Sequence, residues 1–195
     1  MKRVGLIFLL TLAAAGGCAD RSTLIRTETA SHGTAVAEEL AKDGSLPQGY
    51  AALGITASFK THADRPSLVY DPHGTPDFKL LVSIDGQETS LRGALQEEKG
   101  GSLDLVDPEN GPGIRYRFDK KLRLKAGVHR VVVALPGDGV VLQREISLAE
   151  GKVHSLVVEP VYGAKSGKPR PGISNATSFR EGIRTLRILL DGQVV

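Results

Sequence analysis

Downstream of residue 49 the chain alternates between apolar and polar positions with a period of two, again and again. Leu53, Ile55, Ala57 and Phe59 share one parity, and Phe78, Leu80, Val82 and Ile84 share another. Ile114, Tyr116, Phe118, Leu122 and Leu124 follow. Alternation of this kind marks strands with one buried face. The segment 128–162 reads as three strands, split by Pro136-Gly137-Asp138-Gly139 and by Glu150-Gly151-Lys152. A last strand is expected over "IRTLRILLDGQVV". Asp85-Gly86 is a strong hairpin signal between apolar runs. No long 3.6-residue period appears after residue 50. Short strands closed by Gly and Pro turns predict an all-β fold, an antiparallel β-sandwich over 49–195.

Before residue 49 the pattern differs. Residues 19–48 are polar and alanine-rich, which predicts a flexible tether, with one short helix at Ala35–Lys42 closed by Gly44 and Pro47. The first residues differ again. Lys2 and Arg3 precede an apolar run from Val4 to Ala15, and small residues lead to Cys18, the sole cysteine. Charged head, apolar middle and small-residue end make the order of a secretory signal. The run is shorter than the roughly 20 residues of a membrane-spanning helix.

Ala15-Gly16-Gly17-Cys18 resembles the lipobox of bacterial lipoproteins, with alanine where leucine is commoner. The resemblance implies a signal peptide over 1–17, a diacylglyceryl thioether on Cys18, and a new N-terminus at that residue. Two or more acyl chains anchor stably where one does not. The implied location is the cell envelope, facing the periplasm or the cell surface. Aspartate directly after the cysteine favours inner-membrane retention in this family. Here Ala19 follows and the aspartate is Asp20, which leans toward the outer membrane.

Composition narrows the chemistry. The formal charge of +3 falls to about +1 once Lys2 and Arg3 are removed, so the basic balance gives no case for nucleic acid. With Cys18 lipidated, no thiol is left for a disulfide, a thiolate metal site or a nucleophile. There is no tryptophan, and the five phenylalanines and four tyrosines leave few platforms for stacking sugars or bases.

The segment 80–160 resembles the small PEGA-type sandwich modules of bacterial envelope proteins. The matching pieces are Val82–Gly86, "LRLKAGVHRVVV" at 122–133 and "REISLAEGKVHSLVVEP" at 144–160, although the P-E-G-A signature itself is absent. Such modules are mostly binding or spacer units, so the resemblance implies no catalytic set. "LLVSIDGQ" at 80–87 is echoed by "LRILLDGQ" at 186–193, which reads as two strands ending in the same turn rather than a repeat.

The titratable residues form no familiar constellation. The histidines are His32, His62, His73, His129 and His154, and no pair has the i, i+4 spacing of a metalloprotease helix. His129 and His154 fall in neighbouring expected strands and could face each other beside Glu145 or Glu159, but the favoured reading is two strand histidines on a solvated face. No G-x-S-x-G occurs. Glu97-Glu98 and Asp107/Glu109 are expected in loops, as solubilising charge. "DPENG" at 107–111 reads as an Asx-type turn rather than a calcium loop. No metal or cofactor is therefore expected.

The loop 163–180 remains. Lys165, Lys168, Arg170 and Arg180 lie in it without an acid, and Arg184 and Arg187 extend the stripe. The plain reading is a solvated linker to the last strand; the alternative is contact with an anionic surface or polymer, at about 1 kcal/mol per charge near an anionic membrane. The leading expectation is a lipid-anchored, non-enzymatic envelope module that binds or spaces an envelope protein or anionic polymer. The alternatives are an enzyme acting on envelope polysaccharide or peptidoglycan, and a structural accessory subunit of an outer-membrane assembly.

Overall fold

The computed structural model describes residues 37–40, 45–63, 70–99, 107–163 and 178–195. Cys18 and the residues before it, read as a signal peptide, lie outside them, as do Lys165, Lys168 and Arg170.

The described residues fold as an all-β sandwich. The strands are β1 (Ala37–Glu39), β2 (Tyr50–Thr61), β3 (Lys79–Ile84), β4 (Gln87–Arg92), β5 (Ala94–Glu98) and β6 (Gly113–Lys125), followed by β7 (Gly127–Leu135), β8 (Val140–Leu148), β9 (Val153–Tyr162), β10 (Ile183–Leu190) and β11 (Gln193–Val194). One sheet runs β1-β6-β2-β9-β10-β11, with β5 also on β6; the other runs β4-β3-β7-β8. Pairing is antiparallel except between β2 and β9, which run parallel with Ala52 opposite Val153.

The alternating residues meet between the sheets. Leu53, Ile55 and Phe59 of β2 and Tyr116 and Leu124 of β6 are buried. So are Leu80 and Ile84 of β3 and Val131 and Val133 of β7. Each such side chain contributes about 1.5–3 kcal/mol on burial. Phe78 sits against Tyr116 with ring centroids 4.7 Å apart, and Phe59 against Phe118 at 5.5 Å. This aromatic group floors one end of the sandwich.

Three local expectations are corrected. Within the expected helix Ala35–Lys42, residues 37–39 are a strand. β1 lies along β6, with Glu38 opposite Arg123 and ion-paired to it, and Glu39 bonded to Lys120 at 2.5 Å. Opposite charges across a ladder favour pairing, whereas a helix this short does not repay its nucleation. The tether read over 18–48 therefore contains sheet. The last expected strand is a hairpin, β10 and β11, turned at Asp191-Gly192. Glu97 and Glu98 belong to β5 rather than to a loop.

The two Asp-Gly turns share one backbone conformation. Asp85 and Gly86 have φ of 49° and 87°, and Asp191 and Gly192 have 50° and 82°. Two successive positive values suit a two-residue hairpin loop, and Asp and Gly tolerate them where most residues do not.

Candidate functional site

Two partly buried clusters of polar side chains stand out among the described residues, one packed on Phe78 and the other on Phe179. The first joins three segments. His62 stands one residue past β2, Asp71 and His73 lie on the loop leading to β3, and Asp138 ends the 3₁₀ turn Pro136–Asp138 between β7 and β8.

The loop is held from several sides. The Thr75 N–H and hydroxyl donate to the Pro72 carbonyl at 3.2 and 2.8 Å. The Tyr116 hydroxyl reaches up from the core to donate to the Thr75 carbonyl at 2.7 Å. Pro72 packs onto Gly137 so closely that a Cβ there would stand 2.8 Å from its Cγ. The His73 ring rests on Phe78, with centroids 5.1 Å apart.

Within this frame Asp71 bridges two histidines. Its Oδ2 accepts from His62 Nε2 at 3.0 Å, and its Oδ1 accepts from His73 Nδ1 and from the His73 backbone N–H at 3.0 Å. The other ring nitrogen of His73 meets Asp138 Oδ2 at 3.1 Å. Asp138 is buried, and its second oxygen accepts the Ile183 N–H at 3.2 Å, from the opposite sheet.

The charges respond to this packing. Burial alone would lower the pKa of His73, but hydrogen bonds to Asp138 and Asp71 and their charges outweigh it and raise the value above 6.5. Desolvation would raise Asp71, yet the His73 backbone N–H and the two imidazoles outweigh it and hold the carboxyl at about 2. His62, Asp71 and His73 each offer a ligand-type atom, all within 4.8 Å of one another, and no other group of three or more does so among the described residues.

The second cluster is an ion network. Arg115 of β6 lies between Glu98 of β5, at 2.5 Å, and Glu109, at 2.7 Å. Lys60 of β2 is buried, bonds Glu98 at 2.7 Å and the Glu109 carbonyl at 2.8 Å, and stands 5.1 Å over the Phe179 ring. The Tyr162 hydroxyl donates to Glu109 at 2.7 Å and accepts the Lys60 N–H at 2.9 Å. Hydrogen bonds from Arg115, then Lys60, outweigh desolvation and bring Glu98 down to about 2. Burial, then the bond to Glu109, pushes the Tyr162 hydroxyl up. Two cations and two carboxylates balance here. Glu98 and Glu109 are thus structural partners rather than solubilising charge. The 107–111 segment is the expected Asx-type turn, with Asp107 Oδ1 accepting the Glu109 N–H at 2.8 Å.

The other expected residues are distributed as follows. His129 and His154 do not face each other. His129 lies on β7, in the sheet opposite β9, and pairs with Asp85 at 2.7 Å; His154 pairs with Asp191 at 2.7 Å. Glu159 bonds Arg187 rather than a metal-side histidine, and Glu145 is opposite Arg130 on the β7–β8 ladder. Arg180 is exposed, its guanidinium 5.7 Å over the Phe179 ring. Arg184 is exposed at a β-bulge, and Arg187, also exposed, has its charge met by Glu159 at 2.6 Å. Of the described members of the expected basic stripe, Arg180 and Arg184 present their charge to solvent.

The His62–Asp71–His73 cluster was missed in the sequence. Its one local signal is Asp71-x-His73, a spacing that places both side chains on one turn.

No family model, curated protein or solved structure matches this chain.

Proposed function

We propose that this chain is a lipid-anchored protein of the bacterial cell envelope, seated at the outer membrane by acyl chains on Cys18, whose sandwich acts as a non-enzymatic binding or spacer module. One observation carries the reading: the order of Lys2-Arg3, the apolar run Val4–Ala15 and Ala15-Gly16-Gly17-Cys18. The PEGA-like pattern over 80–160 points the same way.

The fold adds a geometric consequence. β1 is fastened to β6, and the Ala37 N–H also bonds Gln87 Oε1 in the other sheet at 2.8 Å. Both sheets therefore grip the chain at its anchor-proximal end. Covalent geometry limits the reach from Cys18 to Ala37 to roughly 60 Å, at about 3.3 Å per residue. The domain is thus held beside the lipid surface, within periplasmic distances. Arg180 and Arg184 supply the exposed positive charge that would meet an anionic polymer or headgroup.

Fractionation tests the reading. The native chain floats with membranes, and Cys18→Ala stays in the soluble fraction or keeps an uncut leader. A non-lipidated form retains a specific envelope component at low and moderate salt. Equal distribution of both forms in the soluble fraction contradicts the anchor. Retention of nothing at either salt contradicts the binding role.

A further inference from the structure

We propose that His62, Asp71 and His73 form a binding site for a divalent transition-metal ion of the zinc class. The donor set argues first. Two imidazoles and one carboxylate suit zinc and its neighbours, whereas magnesium and calcium favour all-oxygen shells. A tetrahedral centre with ligands at about 2.0–2.2 Å sets neighbouring donors roughly 3.3 Å apart. His62 Nε2 and Asp71 Oδ2 are already 3.0 Å apart, and His73 Nδ1 lies against the other oxygen of the same carboxylate. Small side-chain rotations bring all three onto one ion.

The surroundings argue second. A metal-bound histidine donates its remaining N–H to a carboxylate or carbonyl, which fixes ring and tautomer. His73 has that arrangement: Nε2 faces the buried carboxylate of Asp138, and on metal binding Nδ1 gives up the proton it donates to Asp71 and turns its lone pair to the ion. Asp138 is itself fixed by the Ile183 N–H, and the loop by Pro72 on Gly137 and Thr75 on Tyr116. The ligands thus come from a strand end and a braced turn, not from free surface side chains. The Asp71 and His62 side chains keep 33% and 20% exposure, which opens a path for the ion and for a water as fourth ligand.

The other histidine pairs lack this capacity. His129 stands beside Asp85 and His154 beside Asp191, each a single imidazole with a single carboxylate and no third ligand-type group at hand among the described residues. Two carboxylates, Asp71 and Asp138, beside two imidazoles also give the cluster the negative balance that a dication offsets.

The test uses the full untagged chain, stripped with a chelator and titrated with zinc and with cobalt. One equivalent binds at micromolar or tighter concentration, cobalt develops the visible absorption of a low-symmetry nitrogen–oxygen centre, and zinc raises the melting temperature. His62→Ala and Asp71→Asn abolish the equivalent while circular dichroism stays native. Asp138→Asn weakens binding about 10–100-fold. His154→Ala binds as the native chain does, and calcium and magnesium do not compete. No saturable binding at micromolar zinc overturns the proposal. So does stoichiometric binding that survives both His62→Ala and Asp71→Asn. His73→Ala also removes packing on Phe78, so the His62 and Asp71 variants are the deciding ones.

Discussion

Asp85 and Asp191 make the same two bonds in opposite sheets. Asp85 accepts His129 Nδ1 at 2.7 Å and the Arg130 N–H at 2.8 Å. Asp191 accepts His154 Nδ1 and the Ser155 N–H at the same two lengths. In each case the Asp N–H returns a bond to the carbonyl of that second residue, at 2.9 and 2.8 Å. The echo between 80–87 and 186–193 is therefore a shared local device: an Asp-Gly hairpin turn stapled to the neighbouring strand through its histidine.

The staple contributes stability at both places. Charge-assisted bonds contribute about 1.5–3 kcal/mol, and replacing Asp in a left-handed conformation adds about 1 kcal/mol of strain. Asp85→Ala is expected to cost about 2–4 kcal/mol in urea unfolding. Asp191→Ala costs less, because its side chain is 49% exposed against 31% for Asp85. Asn at either position recovers part of the loss, since it tolerates the backbone and keeps one acceptor.

Lys60 is the cation whose loss is felt most. Removing one partner of a buried pair costs about 3–5 kcal/mol when the other is left uncompensated. Glu98 keeps Arg115 and some solvent, so Lys60→Ala is expected nearer to about 2 kcal/mol. Lys60→Met, which keeps the stem over Phe179, costs less. Equal losses in thermal or urea unfolding would assign the effect to the lost ammonium alone.

Glu98 sets part of the acid limit. Its carboxyl is held at about 2 against an ordinary 4.5. A depressed folded value gives stability that is present above the unfolded pKa and lost as pH falls through the folded one. The native chain therefore loses stability between pH 4.5 and about 2. Glu98→Gln starts less stable at about pH 6 and shows a shallower decline over that range. Parallel curves from urea midpoints at about pH 6, 4 and 3 would contradict this.

Two strand glycines separate close approach from open space. A Cβ at Gly113 would stand 2.6 Å from the Thr61 carbonyl oxygen and 2.9 Å from Phe179, so Gly113→Ala forces the β2–β6 ladder apart and costs about 1–3 kcal/mol. At Gly54 the nearest atom is the His154 carbonyl oxygen at 3.7 Å, and Gly54→Ala is neutral or stabilises by up to about 1 kcal/mol. Thermal melts of the two variants order them.

Much of the sandwich was legible because strand alternation is local. Phe78, Leu80, Val82 and Ile84 state their buried face in one short run, and Asp85-Gly86 states the turn. Sheet membership is not local. Nothing in His129 and His154 says that β7 and β9 belong to different sheets, or that β9 runs parallel to β2. β1 escaped because its three residues carry helix-forming alanine and glutamate, and its strand state depends on Arg123 and Lys120 far along the chain. The His62–Asp71–His73 cluster escaped for a related reason. Its members are joined by a turn braced on Tyr116 and Gly137, and a search for fixed helical spacing passes over them.

The anchor on Cys18 is the central claim, and intact mass spectrometry of the N-terminal peptide from the envelope fraction tests it most directly. A peptide beginning at Cys18, with its sulfur carrying a diacylglyceryl group, is the predicted result. An uncut peptide beginning at Met1 with a free thiol would contradict it.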